Sequence, residues 1–198
     1  MREFLKKFEN QKKLLFWNGL IPLGLLIWDW SHGQLGANPP EAFIRTTGVM
    51  ALIFVVLTLA VTPLAQEFQW SWLVKHRRWL GLGAFYYAMI HWVAYAIFDK
   101  GWALTAIFAD IAKRPFILLG FTAFLLMLPL AITSTNEMIR KLGGRRWKRL
   151  HKLTYAIALL AIVHYWMIVK SDLTYPAIFA SGIALLLSWR AYKNLRTG

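Results

Sequence analysis

Six runs of apolar residues, each long enough to cross a bilayer, constrain this chain more than any other feature. They are roughly Leu14–Trp30, Phe43–Ala65, Trp79–Phe98, Phe116–Thr135, Leu150–Val169 and Leu173–Tyr192. A hydrocarbon core about 30 Å thick takes about 17–25 helical residues at about 1.5 Å each. Inside it, backbone amides and carbonyls have no water to pair with, so open chain cannot cross and helices can. The expectation is an all-α integral membrane protein, a six-helix transmembrane bundle forming one domain over residues 1–198.

The composition supports that reading. Hydrophobic residues make up 58% of the chain and charged residues 16%, with mean hydropathy +0.46. A soluble domain carries about 25% charged residues. Trp28, Trp30, Trp72, Trp79, Trp102, Trp147 and Trp189 lie near the run ends, where interfacial belts form. Gly and Pro inside the runs (Pro22, Gly48, Gly81, Gly83, Gly120, Pro129, Gly182) are tolerated in spanning helices. MREFLKKFENQKK at the N-terminus has no small-residue cleavage site after the run that follows it, so that run reads as a retained span.

A net charge of +14 raises nucleic acid as a partner, and the placement of the charges argues against it. The basic residues cluster at the N-terminus (Arg2, Lys6, Lys7, Lys12, Lys13) and in the second loop (Lys75, Arg77, Arg78). They recur in the fourth loop (Arg140, Lys141, Arg145, Arg146, Lys148, Arg149, Lys152) and at the C-terminus (Arg190, Lys193, Arg196). The other loops hold five of the 23: Arg45, Lys100, Lys113, Arg114 and Lys170. By the positive-inside rule both termini are cytoplasmic.

The histidines carry the chemistry. The chain has no cysteine, which excludes disulfides and Cys-ligated iron–sulfur clusters. A redox centre must then rest on His, Met or Tyr, or have no covalent ligand. His151 and His164 lie in RRWKRLHKLTYAIALLAIVHYWMIVK, about 20 Å apart along a helix, so each approaches one membrane surface. The third run places His91 at the same outer depth as His164. Ionisable side chains inside a span point to a functional site, and neutral imidazole ligates haem iron. His91 and His164 on separate helices therefore form a candidate clamp for one haem iron. The plainer reading is a pair of histidines bonded to neighbouring helices.

His151 sits at the inner face among Arg149 and Lys152, as an iron ligand, a partner for a haem propionate or flavin, or an interfacial residue. His76, in the second loop, lies at about the same depth and is its candidate sixth ligand, or else a solvated loop residue. On an ideal helix His151 and His164 point about 140° apart. A haem at each end requires a twist between them. His32, in HGQLGANPP, reads as an outer-loop residue without a metal. No GxGxxG or Walker loop is present, so electrons come from a membrane quinol or a separate flavoprotein.

Together these residues resemble the MsrQ (formerly YedZ) family, haem-binding membrane subunits of the bacterial periplasmic protein-methionine-sulfoxide reductase system. The resemblance extends over nearly the whole chain. It rests on His32-Gly33 with Leu35-Gly36-Ala37-Asn38-Pro39, Thr62-Pro63-Leu64, Arg77-Arg78 with Leu80-Gly81-Leu82, and His91 with Tyr95. It continues through Arg114-Pro115, Thr133-Ser134-Thr135 and Arg140-Lys141-Leu142-Gly143 to Trp147, Leu150-His151, Tyr155 and His164-Tyr165.

The resemblance implies a ferric reductase-like six-helix bundle in the bacterial inner membrane, binding haem b, one or two, through His91, His151 and His164. It implies FMN as well, and a quinol or cytosolic flavin reductase as donor. The implied acceptor is a periplasmic molybdenum-containing methionine sulfoxide reductase subunit, which carries the substrate-reducing site. The outer loops, His32–Glu41 and Asp99–Arg114, are the expected docking face.

Two other classes stay open. A proton-coupled transporter would use a His relay, but Asp29, Glu41, Glu67, Asp99, Asp110, Glu137 and Asp172 all lie at run ends. A haem-free membrane anchor would only recruit a partner.

Overall fold

The computed structural model describes the backbone of residues 2–197 and the side chains of residues 17–196. The N-terminal basic residues Arg2, Lys6, Lys7, Lys12 and Lys13 lie outside those described side chains. Every regular element among the described residues is helical. In chain order the α-helices are α1 (Arg2–Ser31), α2 (Pro39–Glu67), α3 (Arg77–Ala94), α4 (Leu104–Lys113) and α5 (Pro115–Ile132), then α6 (Asn136–Leu142), α7 (Gly144–Leu150), α8 (Leu153–Ile168) and α9 (Thr174–Thr197), with a 3-10 helix, Ser71–His76, leading into α3. Among the described residues, four segments are long and apolar enough to cross a membrane: Pro39–Glu67, Ser71–Asp99, Pro115–Ile132 and Gly144–Ile168.

Local sequence explains where several helices start. Asn38 Oδ1 accepts from the Glu41 amide at 3.4 Å, and Pro39 and Pro40 occupy the first turn of α2, where no amide is needed. Pro115 opens α5 in the same way. Thr135 caps α6, which stops at Gly143 with φ +75°, a conformation a side chain would strain.

The helices meet on Leu52, Val55 and Leu59 of α2, Ala84 of α3, Met127 of α5, Ile157, Ala158 and Ile162 of α8, and Ile183 of α9. Lipid tails are as apolar as these side chains, so tight packing rather than escape from water holds them together. Gly83 shows how tight: a Cβ there would come within 2.8 Å of the Phe54 ring. α1 joins through the Tyr87 hydroxyl, which donates to the Gly19 carbonyl at 2.7 Å. Leu25, Ile178 and Leu185 face outward, as lipid-facing positions do.

Three features depart from a plain six-span reading. The segment expected as an outer loop contains α4, an amphipathic helix too short to register as a span, with Ile107 and Asp110 buried and Leu104 and Phe108 exposed. The fourth loop folds into α6 and α7. The fifth run is broken at His151 and Lys152, where tight turns (Lys152 N to Arg149 O, 3.2 Å; Thr154 N to His151 O, 3.3 Å) replace the regular ladder. That break lies at His151 itself, although no glycine marks it.

Candidate functional site

α3 and α8 bring His91 and His164 together, with ring centres 6.2 Å apart and planes at 81° to each other. Both rings line a cavity of about 660 Å³ between α2, α3, α5 and α8. Leu52, Val55, Phe124 and Met127 contribute to its apolar walls, and Arg45 and Arg114 also line it. The matched depth expected from the sequence is therefore direct proximity.

Each imidazole is oriented by the helix beside it. His91 Nδ1 lies 2.8 Å from the Ile44 carbonyl, and His164 Nδ1 lies 2.6 Å from the Phe116 carbonyl. A carbonyl only accepts, so each Nδ1 carries the proton and each Nε2 keeps a free lone pair. Glycines make room for both rings. A Cβ on Gly48 would sit 2.9 Å from Nδ1 and Cε1 of His91, and one on Gly120 would sit 2.7 Å from the same atoms of His164. The ring edge bearing Nδ1 thus faces the neighbouring helix, and the opposite edge faces the cavity.

This geometry fits a haem. A metal–imidazole bond is about 2.0–2.1 Å and the ring centre lies about 1.1 Å behind the nitrogen, so two rings on opposite sides of one metal stand about 6.2–6.4 Å apart. A second imidazole nitrogen bonded to a carbonyl is the usual support for a metal-ligating histidine. The indole Nε1 of Trp92, in the cavity wall, is buried with no hydrogen-bond partner among the described residues. Such a donor is costly unless something with an acceptor enters the cavity.

The two halves of the site repeat one design, which the sequence did not reveal as a repeat. In each, a carbonyl four residues before a glycine on one helix holds an imidazole from a later helix: Ile44, Gly48 and His91, then Phe116, Gly120 and His164. The spacing that puts His151 before His164 puts Arg78 before His91. At this end the halves diverge. His151 stacks on Trp147, with ring centres 4.0 Å apart, and its Nε2 lies 3.2 Å from Thr133 Oγ1. Trp147 Nε1 donates to the Thr133 carbonyl at 2.8 Å, which fixes that stack. His76 is buried against Trp72, and Arg78 donates to Asn136 Oδ1 at 2.8 Å. His32 is exposed and stacks on Trp28.

At the opposite end α4 is tied down by Asp110. Its carboxylate pairs with Lys100 at 2.8 Å and Arg114 at 2.9 Å and accepts from the Tyr95 hydroxyl at 2.7 Å. Burial alone would push the Asp110 carboxyl up, but hydrogen bonds from Lys100 and Tyr95 and the charges of Lys100 and Arg114 outweigh it, so the net direction is down. The same hydrogen bond holds the Lys100 ammonium above its ordinary range. Tyr95 begins a π-helical turn, Tyr95–Asp99, after which Gly101 and Trp102 both take positive φ (+56° and +62°). That turn seats Trp102 against Trp92, with ring centres 6.2 Å apart.

Residues 47–162 match the family described as ferric reductase like transmembrane component. The chain is 47% identical over 183 residues to the protein-methionine-sulfoxide reductase heme-binding subunit MsrQ of Herminiimonas arsenicoxydans, covering 91% of this chain and 84% of that protein. Against the protein of the same name from Azospira oryzae it is 49% identical over 168 residues, covering 84% and 72%. Against that of Xanthomonas oryzae pv. oryzae it is 46% identical over 190 residues, covering 93% and 87%. No solved structure matches. The range that matches the family includes the Gly48–His91 half of the site, and the relatives cover most of the chain, so the chain belongs to the MsrQ family of ferric reductase-like transmembrane proteins.

Proposed function

We propose that this chain is a transmembrane b-type cytochrome that carries electrons across the bacterial inner membrane to a periplasmic methionine sulfoxide reductase subunit. The observation that carries this reading is the His91–His164 pair, each Nδ1 bonded to a backbone carbonyl and both rings lining one apolar cavity. The relatives' shared name, heme-binding subunit, supports the same reading.

When bound there, a haem supplies one-electron chemistry. His91 and His164 hold the iron through Nε2, while Ile44 and Phe116 fix both rings and raise their basicity. The apolar walls exclude water. Arg45 and Arg114, also lining the cavity, offer charge to the propionates.

The proposal includes six spans with both termini cytoplasmic, supported by the distribution of Lys and Arg and by the six helices over the six apolar runs. The outer docking face then includes α4 and the His32–Glu41 segment. The molybdenum-containing acceptor, a quinol or cytosolic flavin reductase as donor, and FMN rest on the resemblance. An inner haem on His151, with His76 as sixth ligand, is a wider form of the proposal, and His151 would first have to release Thr133.

The visible spectrum of the purified full chain is the test. A haem band that reduces with a quinol or flavin donor and reoxidises on adding the periplasmic partner supports it. A protein with no haem band is an anchor or a transporter.

A further inference from the structure

A second cavity, of about 280 Å³, lies at the other end of the bundle and is lined by Thr62, Gln66, Arg77, Tyr155, Trp189, Arg190, Lys193 and Asn194. Three of these eight residues are cations. Glu67 balances one of them, pairing with Lys193 at 2.9 Å while accepting from Trp189 Nε1 at 3.0 Å. Arg77 and Arg190 pair with no carboxylate among the described residues. Arg77 reaches the Thr62 hydroxyl at 3.4 Å, and Arg190 donates to the Leu59 and Leu186 carbonyls. Arg190 is 9% exposed.

Two guanidiniums facing one small space repel each other, and a buried charge without a counter-charge is costly. The Arg190 guanidinium also lies 5.5 Å over the Tyr155 ring, and its five N–H donors exceed what the two carbonyls and Tyr155 use. Gln66, Asn194 and Thr62 add neutral donors around the same space. A tetrahedral oxyanion satisfies this set: it takes several donors at once, and its charge relieves the Arg77–Arg190 repulsion. The cavity also lies where α2, α3, α8 and α9 approach the end rich in Lys and Arg, and basic pockets between spanning helices on that side take lipid phosphates.

We propose that this cavity is a binding site for a phosphate group, carried either by an anionic lipid headgroup or by a soluble phosphate. It is separate from the His91–His164 cavity and does not depend on haem being bound there.

The test uses the full chain in nanodiscs and reads its thermal midpoint, since a ligand that binds the folded state raises it in a saturable way. One arm titrates inorganic phosphate into phosphatidylcholine nanodiscs at constant ionic strength. The other raises the share of phosphatidylglycerol in the disc without added phosphate. A saturable rise in the first arm identifies a soluble phosphate; a rise confined to the second identifies a headgroup. Arg77→Gln/Lys193→Gln should need at least about tenfold more ligand for half-saturation, as expected when charged hydrogen bonds are removed. Asn194→Trp, which fills the cavity and leaves every charge in place, should lose the rise as well, and covers the case in which the charge variant does not fold. Arg149→Gln/Lys152→Gln, outside the cavity, should respond like the wild type. No saturable rise in the wild type in either arm, or an unchanged half-saturation point in both cavity variants, overturns the site.

Discussion

Arg190 on α9 donates from Nη2 to the Leu59 carbonyl on α2, the group that Pro63, four residues further on, leaves without an amide partner. A proline inside a spanning helix is affordable when a neighbouring helix replaces the lost donor. Arg190 does so here, and a second bond, to the Leu186 carbonyl at 3.0 Å, steadies it.

The coupling is measurable. Arg190→Leu leaves the Leu59 carbonyl unpaired and should cost about 1–3 kcal/mol. In a Pro63→Ala background the alanine amide can reach that carbonyl, so the same change should cost less, with a coupling of about 1 kcal/mol or more. Unfolding of the four proteins in detergent measures the cycle. Equal losses in both backgrounds would mean that Arg190 stabilises the fold by other means.

Gly120→Ala should strike the proposed haem site without replacing a histidine. The new methyl would lie 2.7 Å from the His164 ring, and the Phe116 carbonyl holds that ring from the same side. The ring must move, so haem content should fall. Gly48→Ala, at 2.9 Å from His91, should do the same to a lesser degree. Gly182, with nothing within 4 Å of its Cβ position, is the control: Gly182→Ala should keep full haem content and gain up to about 1 kcal/mol of stability. Full haem content in Gly120→Ala would show that the ring has room to spare.

Asp110 gives the structure a defined response to acid. Its folded carboxyl lies below the ordinary carboxylate range, so its contribution is fully present above about pH 3.9, the unfolded value. It is lost as the pH falls through the lower folded value. Asp110→Asn should therefore cost about 1–3 kcal/mol at neutral pH, and the gap to the wild type should close below about pH 4. Thermal midpoints of both proteins across that range check this. A gap that stays constant down to pH 2 would mean that the charge on Asp110 does not hold α4.

Much of this could be read from the sequence, and what could not has physical reasons. His91 and His164 were legible because a spanning helix converts residue number into depth, and two imidazoles at one depth invite a shared ligand. Gly48 and Gly120 were visible as glycines, but their roles depend on which helix packs across them. That partner comes 43 or 44 residues later and leaves no periodic signal. α4 was missed because its ten residues are too few to register as a span and it alternates buried and exposed faces. The break at His151 has neither Gly nor Pro to mark it, so an ideal helix is the natural expectation from the sequence.

The near-perpendicular rings carry a spectroscopic consequence. With imidazole planes at 81°, an iron held by both rings would have the two orbitals that overlap them in nearly the same field. The oxidised protein should therefore show a broad, strongly anisotropic low-spin EPR signal at low temperature. A well-resolved rhombic signal would mean that the rings turn toward parallel on binding. In His76→Ala this signal should be unchanged, because the proposed ligands of that iron are His91 and His164.

That His91 and His164 share one haem iron is tested most directly by haem quantification with reduced-minus-oxidised spectra of wild type, His91→Ala, His164→Ala and His32→Ala, all purified alike. Wild type and His32→Ala should give the same haem content and a sharp low-spin reduced band. Each of the other two should lose that band. Wild-type haem content and an unchanged reduced spectrum in both His91→Ala and His164→Ala would contradict the clamp.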